Sequence, residues 1–473
     1  MGPLIREVRD QFSRVFPGRP RAFRAPSRIN LRGMHIDTHG GTLNLITHQR
    51  ETVLAAGALE KPVLDLRNAD SLHAPLRFSF EDARKSASGW EGYVRGAVHA
   101  LAKRVDPLRR GLCGILGSTI PEGAGLSSSS ALCLTMVDAL AALNDIALDP
   151  VARIELVRAA EWHAGARTGT SDPGAMVLAG RGIMASGPLP PGRIDLDAVR
   201  KVVWPTGLAV VVADSLARRA LGGAEAVSYA RNRFVYSVAL DAMRASFGAN
   251  ATLGDVSSAI DSREITLREV LNVVPVSISV ESLSGELRRE YESIFGVYID
   301  HARPREFDLH GPLVFGLGES ARARAFTFTI EARHYSRAGE IMNVGHSGDR
   351  QSKWDLSDSE VGCVSTSSGR PLWHVAGAYG ASTAALDMLV EAALAGGAFG
   401  ASLTGAGMGG CVVALCRTDQ IDRVVTRLRQ TLQSTEYAAA LGRVEPISSE
   451  VADEAVVINE TVPCAGEVDD DDE

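Results

Sequence analysis

Four short segments of this 473-residue chain hold residue types able to act together in chemistry. The first is Pro121-Glu-Gly-Ala-Gly-Leu-Ser-Ser-Ser-Ser130, between a β-prone run and an apolar helical pattern. Its glycines let the backbone approach a ligand, and the N-terminus of the following helix offers unpaired N–H groups to a phosphate. The consecutive serines add hydroxyls for phosphate oxygens or a metal ion. A plain serine-rich helix cap has the same composition. It is not a Walker A loop, because no Gly-Lys-Ser/Thr follows. The second segment, Gly405-Ala-Gly-Met-Gly-Gly410, has the formal spacing of a dinucleotide fingerprint. Such a fingerprint opens a helix, whereas here the strand pattern Cys411–Leu415 follows, so a tight turn beside a ligand or another backbone fits better. The third runs from Arg24 to Gly41 and crowds Arg28, His35 and Asp37 into a strand-like stretch, as a surface hairpin also would. The fourth, Gly169-Thr-Ser-Asp172-Pro-Gly174, sets one carboxylate in a turn, the place of a base or of a turn cap.

The elements that position these segments are legible in hydrophobic periodicity. Residues 1–20 read as an amphipathic helix and a Pro/Gly lead-in, and 23–66 as short β-prone runs separated by turns. A helix is expected over 90–104, a strand over 112–119, and helices over 131–143 and 151–164. A buried strand spans 202–212, and a helix begins near Glu225. Residues 246–312 read as a mostly helical insertion. Helices follow over 321–338 and 378–395, separated by a polar loop at Ser365–Arg370. No internal repeat is visible.

Composition narrows the function. Hydrophobic residues are 45% and charged residues 22%, the balance of a globular protein. The formal charge is −8, with six acidic residues among the last seven, so no basic excess exists to drive nucleic-acid binding. No apolar run approaches the roughly 20 residues of a membrane span. The charged N-terminus lacks a signal core, and Arg6 stands where a myristoylation signal needs Ser or Thr. Six cysteines without a CxxC pair read as buried thiols of a cytoplasmic protein.

In order, the four segments resemble the signatures of the galactokinase, homoserine kinase, mevalonate kinase and phosphomevalonate kinase (GHMP) superfamily, on its sugar-kinase branch. RAPSRINLRGMHIDTHGG is similar to the galactokinase N-terminal signature, PEGAGLSSSSALCL to the phosphate loop, and LTGAGMGGCVVAL to the C-terminal glycine motif. WEGYVRG, AEWHAGARTGTSD, SYARNR and IMNVGHSGDR resemble further family segments, so the likeness spans about residues 20–420. It implies an α+β fold of two domains, ribosomal-S5-like and ferredoxin-like. The expected limits are a 1–20 extension, an N-terminal domain over 21–210, a C-terminal domain over 211–460 with its insertion at 246–312, and a disordered acidic tail over 461–473.

The resemblance further implies an ATP- and Mg²⁺-dependent kinase acting on a small sugar, with homo-oligomerisation left open. Asp172 and Arg28 match the catalytic pair: Asp172 would accept or orient the proton of the anomeric hydroxyl, and Arg28 would hold Asp172 ionised and offset phosphate charge. Gly123, Ala124, Gly125, Ser127, Ser128 and Ser129 would cradle ATP phosphates, with Ser128 on the metal. Trp90 and Tyr93 would border adenine, or serve as helix core. His35, Asp37 and Tyr229 match sugar-facing positions, with Met34, Gly405 and Gly407 beside them. Met34 is the telling departure. Galactokinases carry a glutamate there that reads the sugar near its sixth carbon, whereas the galacturonokinase form also lacks it. The order of expectation is therefore a galactose-like sugar altered at that carbon, such as galacturonate, then galactose, then a heptose or antibiotic-pathway sugar. Pro173 and Met408 also depart from the usual Gln and Phe. A non-catalytic sugar- and ATP-binding regulator is the alternative of another class, and retention of Arg28, Asp172 and the serine run argues against it.

Overall fold

The computed structural model describes residues 2–70, 73–105, 107–217, 224–296, 303–355, 357, 361–365, 369–434, 456–458 and 466–468. The first half contains α1 (Pro3–Val15), β1 (Arg21–Arg32), β2 (Thr42–Leu59), β3 (Val63–Asn68), β4 (Leu76–Ser79), α2 (Gly89–Arg104) and β5 (Gly111–Ser118). It continues with α3 (Ser128–Leu143), α4 (Pro150–His163), α5 (Ser171–Leu178), β6 (Ile183–Pro188) and β7 (Arg200–Val203). The expected short runs over 23–66 are instead two long strands and a shorter third. β1 and β2 pair antiparallel, with register shifts at Pro26/Ser27 and Asn30/Arg32 that bend the sheet on either side of Arg28.

Together with β14 (Gly466–Val468), these strands form one sheet in the order β14-β1-β2-β5-β3-β4, extended by β6 on β2 and by β7 on β6. Strand side chains alternate between faces. Phe23, Leu54, Ala56, Leu112 and Leu116 belong to the large core shared with α2–α5. Ala22, Val53, Ala55, Cys113 and Ile115 face the other way and are covered by Ile5, Val8 and Phe12 of α1.

The expected strand over 202–212 is two strands in two sheets. Pro205 and Gly207 lie in the turn between them, and β8 (Leu208–Asp214) enters a four-stranded sheet ordered β11-β12-β8-β13. Its partners are β11 (Gly400–Leu403), β12 (Cys411–Arg417) and β13 (Val456–Ile458). Between them come α6 (Ala224–Phe247), α7 (Leu253–Asp261), α8 (Leu267–Val273), α9 (Gly285–Phe295), α10 (His310–Glu331) and α11 (Tyr335–Arg350), with a small hairpin of β9 (Ser277–Ser279) and β10 (Glu306–Asp308). The expected 321–338 helix thus corrects to the end of α10 and the start of α11, divided at Ala332–His334, where Arg333 has a φ of 58°. The expected 378–395 helix begins only at Ala384, because Thr383 caps it through the Leu386 N–H.

Residues 246–312 hold the expected helices α7, α8 and α9, which pack on α6 and α10, together with the β9–β10 hairpin that the helical reading lacked. Ser365 lies in a turn and Val364 bridges to Arg370; residues 366–368 of that loop lie outside the described residues. The acidic end also lies outside them except β14 (Gly466–Val468), which pairs with β1, so those three residues are a strand rather than disordered tail. Cys113, Cys133, Cys411 and Cys416 are buried, but Cys363 is exposed, a correction to the uniformly buried reading; Cys464 lies outside the described residues.

Candidate active site

β1 and the first turn of α5 meet at a charged pair. The Arg28 guanidinium grips Asp172 with both ends: Nε donates to Oδ1 at 2.7 Å and Nη2 to Oδ2 at 2.8 Å. Its remaining Nη1 donates to the Gly125 carbonyl at 2.8 Å, so one side chain ties the acid to the glycine-serine loop. Ser127 and Ser171 hydroxyls also donate to Asp172. Burial would raise this carboxyl, but the Arg28 charge, its hydrogen bonds and the two serines outweigh it and hold Asp172 below the ordinary carboxylate range. The acid is therefore ionised at neutral pH.

The loop leads into α3 through Ser127, whose φ of 63° is left-handed, and α3 opens at Ser128. Ser129 and Ser130 hydroxyls donate to one oxygen of Glu161 at 2.7 and 2.9 Å, and Thr168 donates to the other at 2.8 Å. Burial, followed by the neighbouring Asp172 charge, pushes Glu161 up to about 7 despite these donors. Glu161, on the last turn of α4, was not singled out from sequence. A charged residue at an inward position of an otherwise apolar helix face was the available signal.

Tyr93 is half-buried on α2 with its hydroxyl close to Ser129; burial, then Glu161 and Cys133, push it up to about 12. Tyr93 thus lies next to the serine run. Trp90, one turn earlier, packs against His73 with ring centroids 5.6 Å apart, and His73 reaches Glu122 of the loop at 2.9 Å.

The third segment curls behind this pair. Asp37 is buried and accepts the Ser171 N–H at 3.2 Å, immediately before Asp172. A Cβ at Gly169 would stand 1.9 Å from Asp37 Oδ2, so no larger residue fits there without moving the carboxylate. His35 is buried, stacks on Tyr379 with centroids 4.1 Å apart, and meets the edge of Tyr229 at 6.0 Å. Arg233, one turn beyond Tyr229 on α6, lies over the Tyr229 ring and donates to the Arg167 carbonyl. Met34 is buried, with Arg32 Nη2 3.8 Å from its sulfur.

The glycine turn joins β11 to β12 and docks on both earlier pieces. Thr404 donates to the Asn30 carbonyl of β1 at 2.9 Å, and the Cys411 thiol to the Ala124 carbonyl of the serine loop at 3.0 Å. Gly405 and Gly407, with φ of 78° and 71°, form its left-handed corners. All four segments are thereby contiguous.

Residues 92–180 match the GHMP kinases N terminal domain, 365–434 the GHMP kinases C terminal domain, and 10–58 the galactokinase galactose-binding signature. The chain belongs to the GHMP kinases, on their galactokinase-like branch. A galactokinase of Roseiflexus sp. is 27% identical over 93% of this chain and 94% of its own. A galacturonokinase of Arabidopsis thaliana is 31% identical over 38% of this chain and 47% of its own. The fold matches a Lactococcus lactis galactokinase structure, complexed with galactose, with a TM-score of 0.68 over 97% of this chain and 98% of that one, at 18% identity. As a GHMP sugar kinase, the protein is an ATP-using phosphotransferase, and among the described residues none of its helices is long and apolar enough to cross a membrane.

Proposed function

We propose that this kinase transfers the γ-phosphoryl group of ATP to the anomeric hydroxyl of a galactose-like sugar altered at its sixth carbon, galacturonate being the type. The observation that carries the reaction is the two-ended Arg28–Asp172 pair beside the serine loop. An ionised carboxylate next to the anomeric hydroxyl accepts or orients its proton, which leaves the oxygen aligned for in-line attack. Arg28 keeps that carboxylate ionised and adds positive charge where the phosphoryl group passes. Gly123, Ala124, Gly125 and Ser127–Ser129 are the ATP phosphate cradle of this reading, with Trp90 and Tyr93 on the nucleotide side. Asp37, His35, Tyr229, Gly405 and Gly407 hold the sugar.

The donor set also fits a magnesium ion. Glu161 is a buried carboxylate raised to about 7 among three hydroxyls, so a cation would readily replace its proton. Glu161 with Ser128 would hold the ion, phosphate oxygens and water completing its oxygen ligands. Bound there, magnesium supplies neutralisation of phosphate charge.

Met34 supports the altered sixth carbon, because a buried thioether neither rewards a hydroxyl nor repels an anion as a glutamate would. The names of the Roseiflexus and Arabidopsis relatives bracket the choice between galactose and galacturonate; a heptose ranks third. The test is ADP release from Mg-ATP over galactose, galacturonate, glucuronate, fucose, arabinose and a heptose phosphate. Turnover on one sugar that disappears in Asp172→Asn supports the reading. Silence on all of them with ATP still bound would move the protein to a sugar-sensing role.

A further inference from the structure

The side of His35 away from the catalytic pair is built of polar groups that the reaction above does not use. The imidazole is fixed in two directions. Tyr379 stacks on it at an interplanar angle of 11°, with Phe315 5.9 Å away, and Nε2 lies 3.2 Å from Asp349 Oδ1 on α11. Both side chains of that pair are fully buried. Nδ1 is left as a buried nitrogen with no hydrogen-bond partner among the described residues, and so are Asp349 Oδ2, Tyr236 Oη and Tyr379 Oη. Tyr236 and Tyr379 stack loosely with centroids 6.2 Å apart, so the orphaned atoms belong to one cluster. Buried polar atoms are ordinarily satisfied, and four together mark a place made for a polar guest.

The charges around the cluster limit what that guest is. Arg32 and Arg322 are both bound to Glu319, at 3.4 and 2.6 Å, and stay occupied. Arg233 lies over Tyr229 and among the described residues has no carboxylate within ion-pair distance. Asp37, whose carboxylate accepts the Ser171 N–H, acts on Arg233 as a nearby negative charge without pairing with it. Met34, beside His35, supplies no charge. An imidazole whose Nε2–H points at a carboxylate presents Nδ1 either as a lone pair or, with both nitrogens protonated, as a second donor. In the second state Asp349 balances the ring, and Nδ1–H, the tyrosine hydroxyls and Arg233 all favour an anion.

We propose that Asp349 is a specificity-determining positioning residue, which holds and charge-balances His35 so that Nδ1–H meets a carboxylate at the far end of the sugar. This rests on the sugar-kinase reading of the site. Asp349 touches neither the phosphoryl group nor Asp172, so its effect falls on sugar binding. A neutral hydroxyl at the same end needs no balanced imidazolium and is indifferent to the charge at position 349.

Steady-state kinetics with Mg-ATP on galacturonate and galactose, for the full chain and its Asp349→Asn and Asp349→Glu variants, test this. The expected result for Asp349→Asn is a KM for galacturonate raised about 30-fold, with kcat and the galactose KM within about threefold, because an amide still accepts from Nε2–H but no longer balances the ring. Asp349→Glu restores most of the galacturonate KM. Equal loss on both sugars would mean a structural role and overturns the proposal, as does no change on either, which would leave the cluster to water. Wild-type preference for galactose overturns it while leaving the kinase reading intact. If no sugar is turned over, calorimetric binding of galacturonate and galactose to the same proteins gives the same comparison. Should Asp349→Asn not fold, Tyr379→Phe removes one donor from the cluster, and a rise in KM confined to galacturonate is the expected sign.

Discussion

At the scale of the residue, the Arg28–Asp172 pair and Glu161 show how environment divides labour between two carboxylates. Glu161 is fully buried and Asp172 keeps 20% of its side chain exposed, but the decisive difference is the guanidinium gripping both Asp172 oxygens, which keeps it ionised, while hydroxyl donors alone leave Glu161 raised to about 7. Replacing Asp172 by Asn removes the acceptor with little change of shape. The expected outcome is a kcat lower by roughly 10²- to 10⁴-fold, with nucleotide binding retained, read by single-turnover kinetics and nucleotide titration. Glu161 has a stability consequence of fixed sign. Its folded value is above the ordinary 4.5, so its contribution is fully present below pH 4.5 and is lost as pH rises through about 7. The wild type should therefore lose about 3 kcal/mol relative to Glu161→Gln between pH 4.5 and pH 8, as followed by urea unfolding without nucleotide. A constant difference between the two proteins over that range would contradict this account of Glu161.

At the scale of the element, strand β1 brings Arg28 to Asp172 in the first turn of α5, which lies near Glu161 in the last turn of α4. β1 carries Arg28 and, through its register shifts, turns residues 33–41 back toward α5. The sheet's outer face is closed by α1, whose Phe12 is fully buried among Val53, Ala55, Cys113 and Ile115. That contact is remote from the Arg28–Asp172 pair. Phe12→Ala should cost about 3–5 kcal/mol in equilibrium unfolding, with kcat per folded molecule unchanged; a fall in kcat at temperatures where the variant is fully folded would show that α1 reaches the site. The insertion acts similarly from outside. Glu290 of α9 accepts from Ser237 of α6 at 2.7 Å, and Ser237 meets His39 at 3.0 Å, so these helices buttress the back of the segment that carries His35 and Asp37.

At the scale of the whole molecule, the first sheet and the C-terminal helices are joined by a buried ion network. Glu319 of α10 accepts from the Gly33 N–H at 2.8 Å, Arg322 at 2.6 Å and Arg32 at 3.4 Å, and Arg32 also reaches Ser402 of β11 at 2.7 Å. A Cβ at Gly345 would fall 1.8 Å from Arg32 Nη1, so α11 leaves room for this guanidinium only by having none. Removing the shared acid strands two buried cations, whereas removing Arg32 leaves the Glu319–Arg322 pair. Glu319→Gln should thus cost about 3–5 kcal/mol and Arg32→Met clearly less. Urea unfolding with the reverse order, or equal costs, would show that the network is not centred on Glu319.

Much of this was written in the chain. The glycine-serine loop, the Arg28 and Asp172 segments and the glycine turn were each legible, because phosphate binding and tight turns demand particular residues at fixed spacing, and their order carried the family. The periodic helices over 90–104, 131–143 and 151–164 were legible for the same local reason. Where elements begin, end or change sheet was less so: the strand read over 202–212 divides at Pro205 and Gly207 because its two halves answer to different cores. Least legible were Glu161, Asp349, Glu319 and Tyr379, ordinary residues in helices or loops. Sequence determined which groups could bind phosphate and accept a proton, since those are local chemistry. Only the tertiary structure decided which carboxylate stays ionised, which is raised, and which stands behind His35, because burial and opposing charge depend on neighbours that the fold brings in from tens to hundreds of residues away.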